Sequence, residues 1–533
     1  MDTAFELPDP LPKAIDLSHH INAVSKSRFA SPLKDIMHYM YMDGMISLAG
    51  GLPHPSLFPF SELSVSAYTP NADLSVDATP KDGLIAIQMQ KYSADKKQLD
   101  LQNILQYGYA NGLPALRSWL VEYVKQVYDP ATSDWEVLLN CGNTDGWTKL
   151  VRLLCEPGEY ILCEEFTFAS AVAMWTSFGC KATPVKLDGE GLRADDLERV
   201  LRTWETEHPH VKRPKLLYIV PVGSNPTGST MPAARRQEIY DICVHYDVII
   251  AEDDPYSALQ FPAFEISENP APPKPQSAEE FKKSLVPSFL KFDHEGRVVR
   301  LESFSKTLAP GNRLGFFVSN PLFSERLLRA TEVETQTPSG WSQGVIYELL
   351  HKWGVSGYLQ WLSNLRDQYQ HRRDDICGSI ARVFTALPAS TVATGIPGAE
   401  GIAVYPPGTQ QADVKPDQLP LFSLVAPRSG MFLWCRFYLA GARRFRELED
   451  EGAEDPEKQF MDELWAALAE NLVLLTPGSY YVPYQGKDKE TTKARGAEEK
   501  IGYFRFAFST ATSEQMLEGI KRVEQVVKRY WEY

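Results

Sequence analysis

The segment from about residue 135 to residue 320 alternates short apolar runs with amphipathic stretches. The apolar runs are EVLLNC (136–141), YILCE (160–164), KLLYIVP (215–221), DVIIAED (247–253) and VVRLESF (298–304). Strand-like runs that alternate with helical patterns predict an α/β fold with a mainly parallel sheet covered on both faces. Ligands bind such sheets beyond the carboxyl ends of the strands, so the loops that follow the runs are candidate pocket walls.

Each of these runs is followed by a loop with polar or aromatic chemistry. The loops are GNTDG (142–146), EFTFAS (165–170) with Phe168, VGSNPTG (222–228) with Asn225, DPY (254–256) after Asp253, and SKTLAPGNR (305–313). A glycine turn that opens a helix offers free backbone N–H groups and a positive helix end, both suited to phosphate. Each loop alone has a structural explanation. Five consecutive strand ends with matched chemistry are much harder to explain by packing.

Lys306 lies in the last of these loops, between two strand-like runs. A lysine held in a dry pocket has a lowered pKa, which frees the neutral amine as a nucleophile. Ser303 and Ser305 before it, and Arg313 seven residues after it, would suit a dianionic phosphate beside that amine. The alternative is a solvated loop lysine, which is the usual explanation for a lone lysine.

Charge and cysteine usage exclude several classes of protein. The net charge of −15 and pI near 5.3 leave no basic footprint for nucleic acid or an anionic membrane. Seven cysteines without C-x-x-C spacing predict a reducing compartment and neither a disulfide framework nor a zinc site. No metal site is predicted. The sequence has no signal peptide and no apolar run near the roughly 20 residues of a membrane span, so a cytoplasmic protein is expected.

The length of 533 residues allows two or more domains. We expect residues 1–105 to form an N-terminal arm, with a helical turn near 31–42, and part of a small domain. Residues 106–345 are expected to form a large domain, and residues 346–533 a smaller α+β domain. Polar or Pro-rich stretches predict surface insertions near 70–100, 262–290, 385–425 and 483–500. The Gly50-Gly51 pair is either a plain turn or a ligand-lining one.

Taken together, the motifs resemble the fold type I, pyridoxal-phosphate-dependent aminotransferases. The resemblance is carried by SLAGGLP, LQYGYANGLPALRSWL, GNT, EEFTF, SNPTG, EDDPY, SFSK with Arg313, SGMFLW and YFRFAFS. It covers most of the chain and is closest to the branch of aromatic amino acid, kynurenine and 2-aminoadipate aminotransferases, including the fungal aromatic enzymes. The resemblance implies a large domain with a mainly parallel seven-stranded sheet, a smaller α+β domain, and a homodimer with shared active sites.

The resemblance also implies roles for residues around the cofactor ring. Lys306 would form the covalent link to the aldehyde of pyridoxal 5′-phosphate and then carry the proton. Asp253 would pair with the ring nitrogen and keep it protonated, so that the ring acts as an electron sink. Asn225 and Tyr256 would bind the ring's phenolic oxygen, and Phe168 would stack on the ring.

The remaining implied residues hold the phosphate and the substrate. Asn143, Thr144, Ser303 and Arg313 would bind the phosphate, and Tyr107 would reach the phosphate of the neighbouring subunit. The substrate-binding residues would be Arg505, Asn225 and Gly51. Arg505 would clamp the α-carboxylate through two parallel N–H···O bonds, which a lysine cannot reproduce. Its place inside the apolar run YFRFAFS favours a buried partner anion over a surface charge.

The implied reaction is a ping-pong transfer of an amino group from an aromatic L-amino acid to a 2-oxo acid, with 2-oxoglutarate the first choice. The alternatives are an enzyme that prefers 2-aminoadipate or kynurenine, and a pyridoxal-phosphate-dependent β-lyase on the same fold. A regulator that joins this fold to a DNA-binding domain is disfavoured. An arm of about 45 residues is too short for such a module, and the net charge has the wrong sign.

Overall fold

The computed structural model describes residues 10–30, 32, 39, 42–46, 48–49, 51–74, 83–95 and 98–533. The helical turn predicted near 31–42 lies mostly outside these residues. Within the described ranges, no helix is both long and apolar enough to cross a bilayer.

The N-terminal arm packs on the part of the chain that forms the large sheet. It contains a short helix, α1 (Ala23–Ser27), and buries Leu17 and Ile21. The Asn22 side-chain amide donates to the carbonyl oxygens of Arg152 and Cys155, both at 2.7 Å. These two bonds therefore anchor the arm to the C-terminal end of the helix Asn143–Leu154.

A two-stranded antiparallel hairpin follows the arm, made of β1 (Glu62–Tyr68) and β2 (Leu84–Gln90), and then the short helix α2 (Leu101–Ile104). The stretch near 70–100, predicted to be a surface insertion, thus contains a strand. Ile87 and Met89 on β2 are buried at a spacing of two, which is the period of a half-buried strand. The surrounding polar residues hide that period in the sequence.

A seven-stranded sheet forms the centre of the chain and confirms the predicted fold class. Its strands are β3 (Glu136–Asn140), β4 (Tyr160–Glu164), β5 (Lys181–Val185), β8 (Leu216–Ile219), β9 (Ile249–Asp253), β10 (Val298–Ser303) and β11 (Gly315–Ser319), and a small hairpin, β6 (Leu187–Asp188) with β7 (Gly191–Leu192), lies beside it. The order is β3-β11-β10-β9-β8-β4-β5, and only β11 runs antiparallel to its neighbours. Every predicted strand forms. The edge strand β5, KATPV, was missed because it is short, contains a proline and has few apolar residues.

Helices cover both faces of this sheet, as the fully buried strands require. They are α3 (Pro114–Val127), α4 (Asn143–Leu154), α5 (Ala169–Ser177), α6 (Ala194–Glu207), α7 (Ala233–His245), α8 (Ala278–Ser284) and α9 (Pro321–Glu334). A long helical segment, α10 (Gly340–Val383), is broken at Gly354, where φ is +64°. The predicted domain boundary at residue 345 falls inside the first half of α10.

A second sheet is antiparallel throughout, in the order β12-β13-β14-β15-β17-β16. Its strands are β12 (Thr385–Pro388), β13 (Ile402–Tyr405), β14 (Phe422–Leu424), β15 (Phe432–Tyr438), β16 (Thr476–Pro477) and β17 (Ile501–Ala507), with helices α11 (Ala389–Val392), α12 (Arg443–Asp450), α13 (Pro456–Glu470) and α14 (Ser513–Trp531). The stretch near 385–425, predicted to be a surface insertion, supplies three of these strands. Prolines and glycines between short strands concealed them.

A buried ion network lies on one face of the large sheet. Arg300 on β10 is fully buried and pairs with Glu252 at 3.1 Å, Asp254 at 2.9 Å and Glu302 at 2.6 Å. The guanidinium also lies 4.0 Å from the centre of the Tyr128 ring. Arg236 is also fully buried and lies 3.6 Å from Glu252, so two buried cations offset the charge of three carboxylates that have left water.

We expect Arg300→Met to lower the free energy of unfolding by about 3–5 kcal/mol, because it leaves Asp254 and Glu302 buried without their paired cation. The measurement is the thermal unfolding midpoint. Arg443→Met is the matched control, since Arg443 is 64% exposed and pairs with Glu447 across one helical turn. It should leave the midpoint unchanged. Equal losses in the two variants would contradict the assignment.

Candidate active site

Lys306 lies in the turn after β10, which is held from outside by α10. Tyr358 donates to the Thr307 hydroxyl at 3.0 Å, and the Trp361 indole donates to the Thr307 carbonyl at 2.8 Å. The Lys306 amine is partly buried and takes part in no hydrogen bond or ion pair within the described part of the chain. Desolvation lowers the pKa of Lys306, and the positive charge of Arg505 lowers it further. A neutral, nucleophilic amine is thereby favoured.

Asp253 is the last residue of β9 and is held by two neutral donors. Tyr218 on β8 donates to one carboxylate oxygen at 2.6 Å, and the Asn143 amide at the start of α4 donates to the other at 2.6 Å. Burial raises the pKa of Asp253 to about 6, and the two hydrogen bonds oppose that rise. Asp253 can therefore pair with a cation, such as a protonated ring nitrogen.

The start of α4 lies against the Arg313 side chain. Gly142 precedes the helix with φ of +95°, and a Cβ at this position would lie 2.7 Å from Nη2 of Arg313. Arg313 Nη2 donates to the Cys141 carbonyl at 3.1 Å. The first N–H groups of α4, at Asn143 and Thr144, have no acceptor within their own helix. A guanidinium and a positive helix end thus meet at one place, which suits an anion.

The Arg313 guanidinium and the start of α4 form an anion-binding cradle. Two serines at the end of β10 extend this cradle. Ser303 Oγ donates to Ser305 Oγ at 2.7 Å, and Arg313 Nη1 donates to Ser305 Oγ at 3.4 Å. Sequence reasoning gave Ser305 no firm role. The structure makes it the link between Ser303 and Arg313. The signal available in the sequence was the pair of hydroxyls two residues apart before the lysine.

Arg505 points from β17 toward Asn225. Its Nη1 donates to Asn225 Oδ1 at 2.7 Å, and its Nη2 to Thr476 Oγ1 at 3.5 Å. The guanidinium lies 4.3 Å from the centre of the Phe432 ring and 5.0 Å from that of Tyr481. Its Nε is buried and has no hydrogen-bond partner among the described residues. Arg505 therefore keeps N–H donors for a carboxylate. The sequence does not indicate its aromatic neighbours, because Phe432 and Tyr481 are distant in sequence and meet Arg505 only in the folded chain.

Two aromatic residues named from the sequence have well-defined positions. Tyr256 is buried with its ring edge-on to Phe432, at 5.9 Å between ring centres. Burial raises the pKa of the Tyr256 hydroxyl, and the negative charge of Asp253 adds to that rise. Phe168 caps the start of α5 and is half-buried against the core. The charges of Asp253 and Arg505 both act on the Tyr256 hydroxyl. The structure therefore places Tyr256 near these two residues.

Two further candidates lie at the surface of the single chain. Tyr107 is 55% exposed. Gly51 is exposed, and a Cβ placed on it would meet nothing within 4 Å. Their exposure in the single chain does not test the roles expected for them, so these roles stay predictions.

The comparisons with known proteins cover most of this chain. Residues 73–399 match the family model described as aminotransferase class I and II. The chain belongs to this family. An aromatic amino acid aminotransferase of Schizosaccharomyces pombe is 32% identical over 532 residues, covering 97% of each chain. An L-tyrosine:2-oxoglutarate aminotransferase of Tapinella panuoides is 32% identical over 555 residues, covering 98% of each. The crystal structure of the aminotransferase Aro8 from Candida albicans superposes with a TM-score of 0.82, at 32% identity over 98% of this chain and 100% of that one.

The family expected from the motifs is thus confirmed, and the residues present fit the cofactor that it implies. The phosphate would meet Ser303, Ser305, Arg313 and the start of α4. The ring nitrogen would meet Asp253, whose two side-chain donors among the described residues are neutral. Lys306 supplies an amine of lowered pKa.

We expect Ser305→Ala to weaken the binding of pyridoxal phosphate to the apoenzyme about ten- to a hundredfold, the effect of losing one hydrogen bond to a charged group. The measurement is a fluorescence titration. Pyridoxal, which lacks the phosphate, is the control ligand and should bind both proteins equally. If pyridoxal binding falls as much as pyridoxal phosphate binding, the hydroxyl does not act on the phosphate.

Proposed function

We propose that the enzyme transfers the amino group of an aromatic L-amino acid to a 2-oxo acid, with 2-oxoglutarate as the acceptor, in a ping-pong reaction. One observation carries this proposal. The Arg505 guanidinium is fixed by Asn225 and lies near enough to Lys306 to lower the pKa of its amine. A carboxylate clamp beside a neutral amine is the arrangement needed to act on the Cα of an amino acid.

Pyridoxal phosphate, when bound, would supply the electron sink that makes the Cα proton acidic. The Asp253 carboxylate would hold the proton of the ring nitrogen. Lys306 would hold the cofactor aldehyde until the substrate amine displaces it. The freed neutral amine would then take the Cα proton and return it to the cofactor's former aldehyde carbon. Asn225 and Tyr256 would bind the phenolic oxygen, and Phe168 would cover the ring.

The phosphate would be held by the cradle at the start of α4. Asn143 and Thr144 would donate their backbone N–H groups, since the Asn143 side-chain amide already donates to Asp253. Ser303, Ser305 and Arg313 would complete the set with two hydroxyls and a guanidinium.

The substrate would be oriented by its carboxylate and its side chain. Arg505 would receive the α-carboxylate in two parallel hydrogen bonds. The rings of Phe432 and Tyr481 already flank the guanidinium, and they offer apolar surface to an aromatic side chain. Gly51 would line the substrate side. The fungal relatives named for aromatic amino acids and for tyrosine and 2-oxoglutarate support this choice of substrates.

We further propose a cytoplasmic homodimer with shared sites. Large apolar side chains are exposed near the arm, among them Leu48 and Leu57 at 95% and 80%, and an interface would cover them. Tyr107, in the same exposed region, would reach the phosphate of the other subunit. The free cysteines support a reducing compartment.

The decisive assay supplies amino donors with and without 2-oxoglutarate. We expect repeated turnover of aromatic amino acids only when the acceptor is present, because the amino group must leave the enzyme on a second substrate. Lys306→Ala should abolish turnover. The donor panel includes kynurenine and 2-aminoadipate, and turnover without any acceptor would identify a β-lyase instead.

We expect Arg505→Ala to raise the KM for both amino acid and 2-oxo acid at least about a hundredfold, since it removes two charge-assisted hydrogen bonds. Arg505→Lys should recover little of this loss because an ammonium cannot make the two parallel bonds. The cofactor affinity, measured in parallel, should stay within a fewfold of the unsubstituted enzyme. An equal loss of cofactor and substrate binding would assign Arg505 to the cofactor.

A further inference from the structure

Two adjacent histidines of the N-terminal arm converge on one aspartate of the large-sheet unit. His19 Nε2 lies 2.7 Å from Asp247 Oδ2, and His20 Nε2 lies 3.0 Å from Asp247 Oδ1. The ring centres of the two histidines are 4.3 Å apart. One nitrogen of each imidazole and a carboxylate oxygen therefore lie within 4.8 Å of one another.

The fold holds this cluster from both sides. Leu17 and Ile21, which flank the histidines, are buried, and His20 itself is 2% exposed. Asp247 has φ of +57° in the tight connection between α7 and β9. Arg297 Nη1 donates to Asp247 Oδ1 at 2.6 Å. Because Arg297 occupies Oδ1, the carboxylate is oriented and Oδ2 remains directed toward His19.

We propose that His19, His20 and Asp247 form a binding site for a divalent transition-metal ion of the Zn²⁺ class. Imidazole nitrogen and carboxylate oxygen bind Zn²⁺ at about 2.0–2.2 Å, and three protein ligands with a water complete a tetrahedron. The present separations require only small side-chain movements to reach that geometry. His19 is 58% and Asp247 48% exposed in their side chains, so an ion and its water can enter from solvent.

Each imidazole would bind the ion through Nε2 and keep its proton on Nδ1. The Nδ1 atom of His20 is buried and has no hydrogen-bond partner within the described ranges. Among these residues no donor competes for that nitrogen, but a buried Nδ1–H without an acceptor costs part of the binding free energy. The ion would replace two hydrogen bonds to Asp247 with coordinate bonds, and Arg297 would keep its place on Oδ1.

The metal site would hold the N-terminal arm on the large-sheet unit and would take no part in the amino-transfer reaction. Asp247 precedes β9, whose last residue is Asp253, so the cluster lies at the amino ends of the parallel strands. The candidate active site lies at their carboxyl ends. Coordination would tie residues 19 and 20 to the large-sheet unit without touching Lys306, and kcat should therefore be the same with and without the ion.

The test titrates tag-free, chelator-treated holoenzyme with Zn²⁺ in a calorimeter. We expect one equivalent per chain and a rise in the thermal midpoint. His19→Ala should weaken binding at least about tenfold, the loss that even a second-shell change brings, and should abolish the rise. His19 is the exposed ligand, so its replacement leaves the core packing intact. His19→Cys should restore binding because a thiolate is also a zinc ligand.

His371→Ala is the matched control. His371 is 56% exposed and lies 3.6 Å from Asp375, a single histidine–carboxylate pair, and its loss should not change the Zn²⁺ titration. Co²⁺ should give the visible absorption of a tetrahedral site in the unsubstituted protein and not in His19→Ala. Absence of stoichiometric binding, or equal binding by His19→Ala and the unsubstituted protein, would overturn the proposal.

Discussion

The carboxylate at the centre of the site is aimed by an ion pair on the opposite face of the same sheet. Arg300 holds Glu252 and Asp254 on one side of β9 and β10. Because side chains alternate along a strand, Asp253 must then point to the other side, where Tyr218 donates to it. A slip of one residue in β9 would exchange these faces. It would bury Asp253 beside other carboxylates and deprive Arg300 of its partners, so ionic contacts reinforce the register set by apolar packing.

In the proposed reaction, one guanidinium would link the recognition of substrate to the basicity of the amine. Desolvation and the charge of Arg505 both lower the pKa of Lys306. Arg505 cannot move away from the amine freely, since Asn225 and the Phe432 ring fix its position. A carboxylate that pairs with Arg505 offsets its positive charge and so weakens that part of the pKa depression. Substrate binding and the basicity of Lys306 are therefore coupled with the same sign, which makes the base stronger when there is a proton to remove.

The sequence predicted the sheet and the loops well because both leave local signals. Apolar runs mark the buried strands. Asp253 ends one such run, and Lys306 lies two residues after another. The polar stretch near 70–100 and the Pro-rich stretch near 385–425 were assigned to insertions because short, half-buried strands carry too few apolar residues to stand out. The Thr476 hydroxyl that accepts from Arg505 was not predicted for a different reason. Strand pairing places Thr476 against Arg505, and no local pattern encodes that pairing.

The same limit explains why no metal site was predicted. Cysteine spacing is a local signal, whereas His19 and Asp247 are separated by most of the large-sheet unit in sequence and meet only after the sheet has formed. An ion at this point binds the folded chain and not the unfolded one, so it stabilises the fold by mass action. This stabilisation would act on the large-sheet unit, which holds the candidate active site at the carboxyl ends of its parallel strands. The amino and carboxyl ends of the parallel strands can thus hold two separate sites, because the buried strand β9 lies between Asp247 and the Asp253 carboxylate.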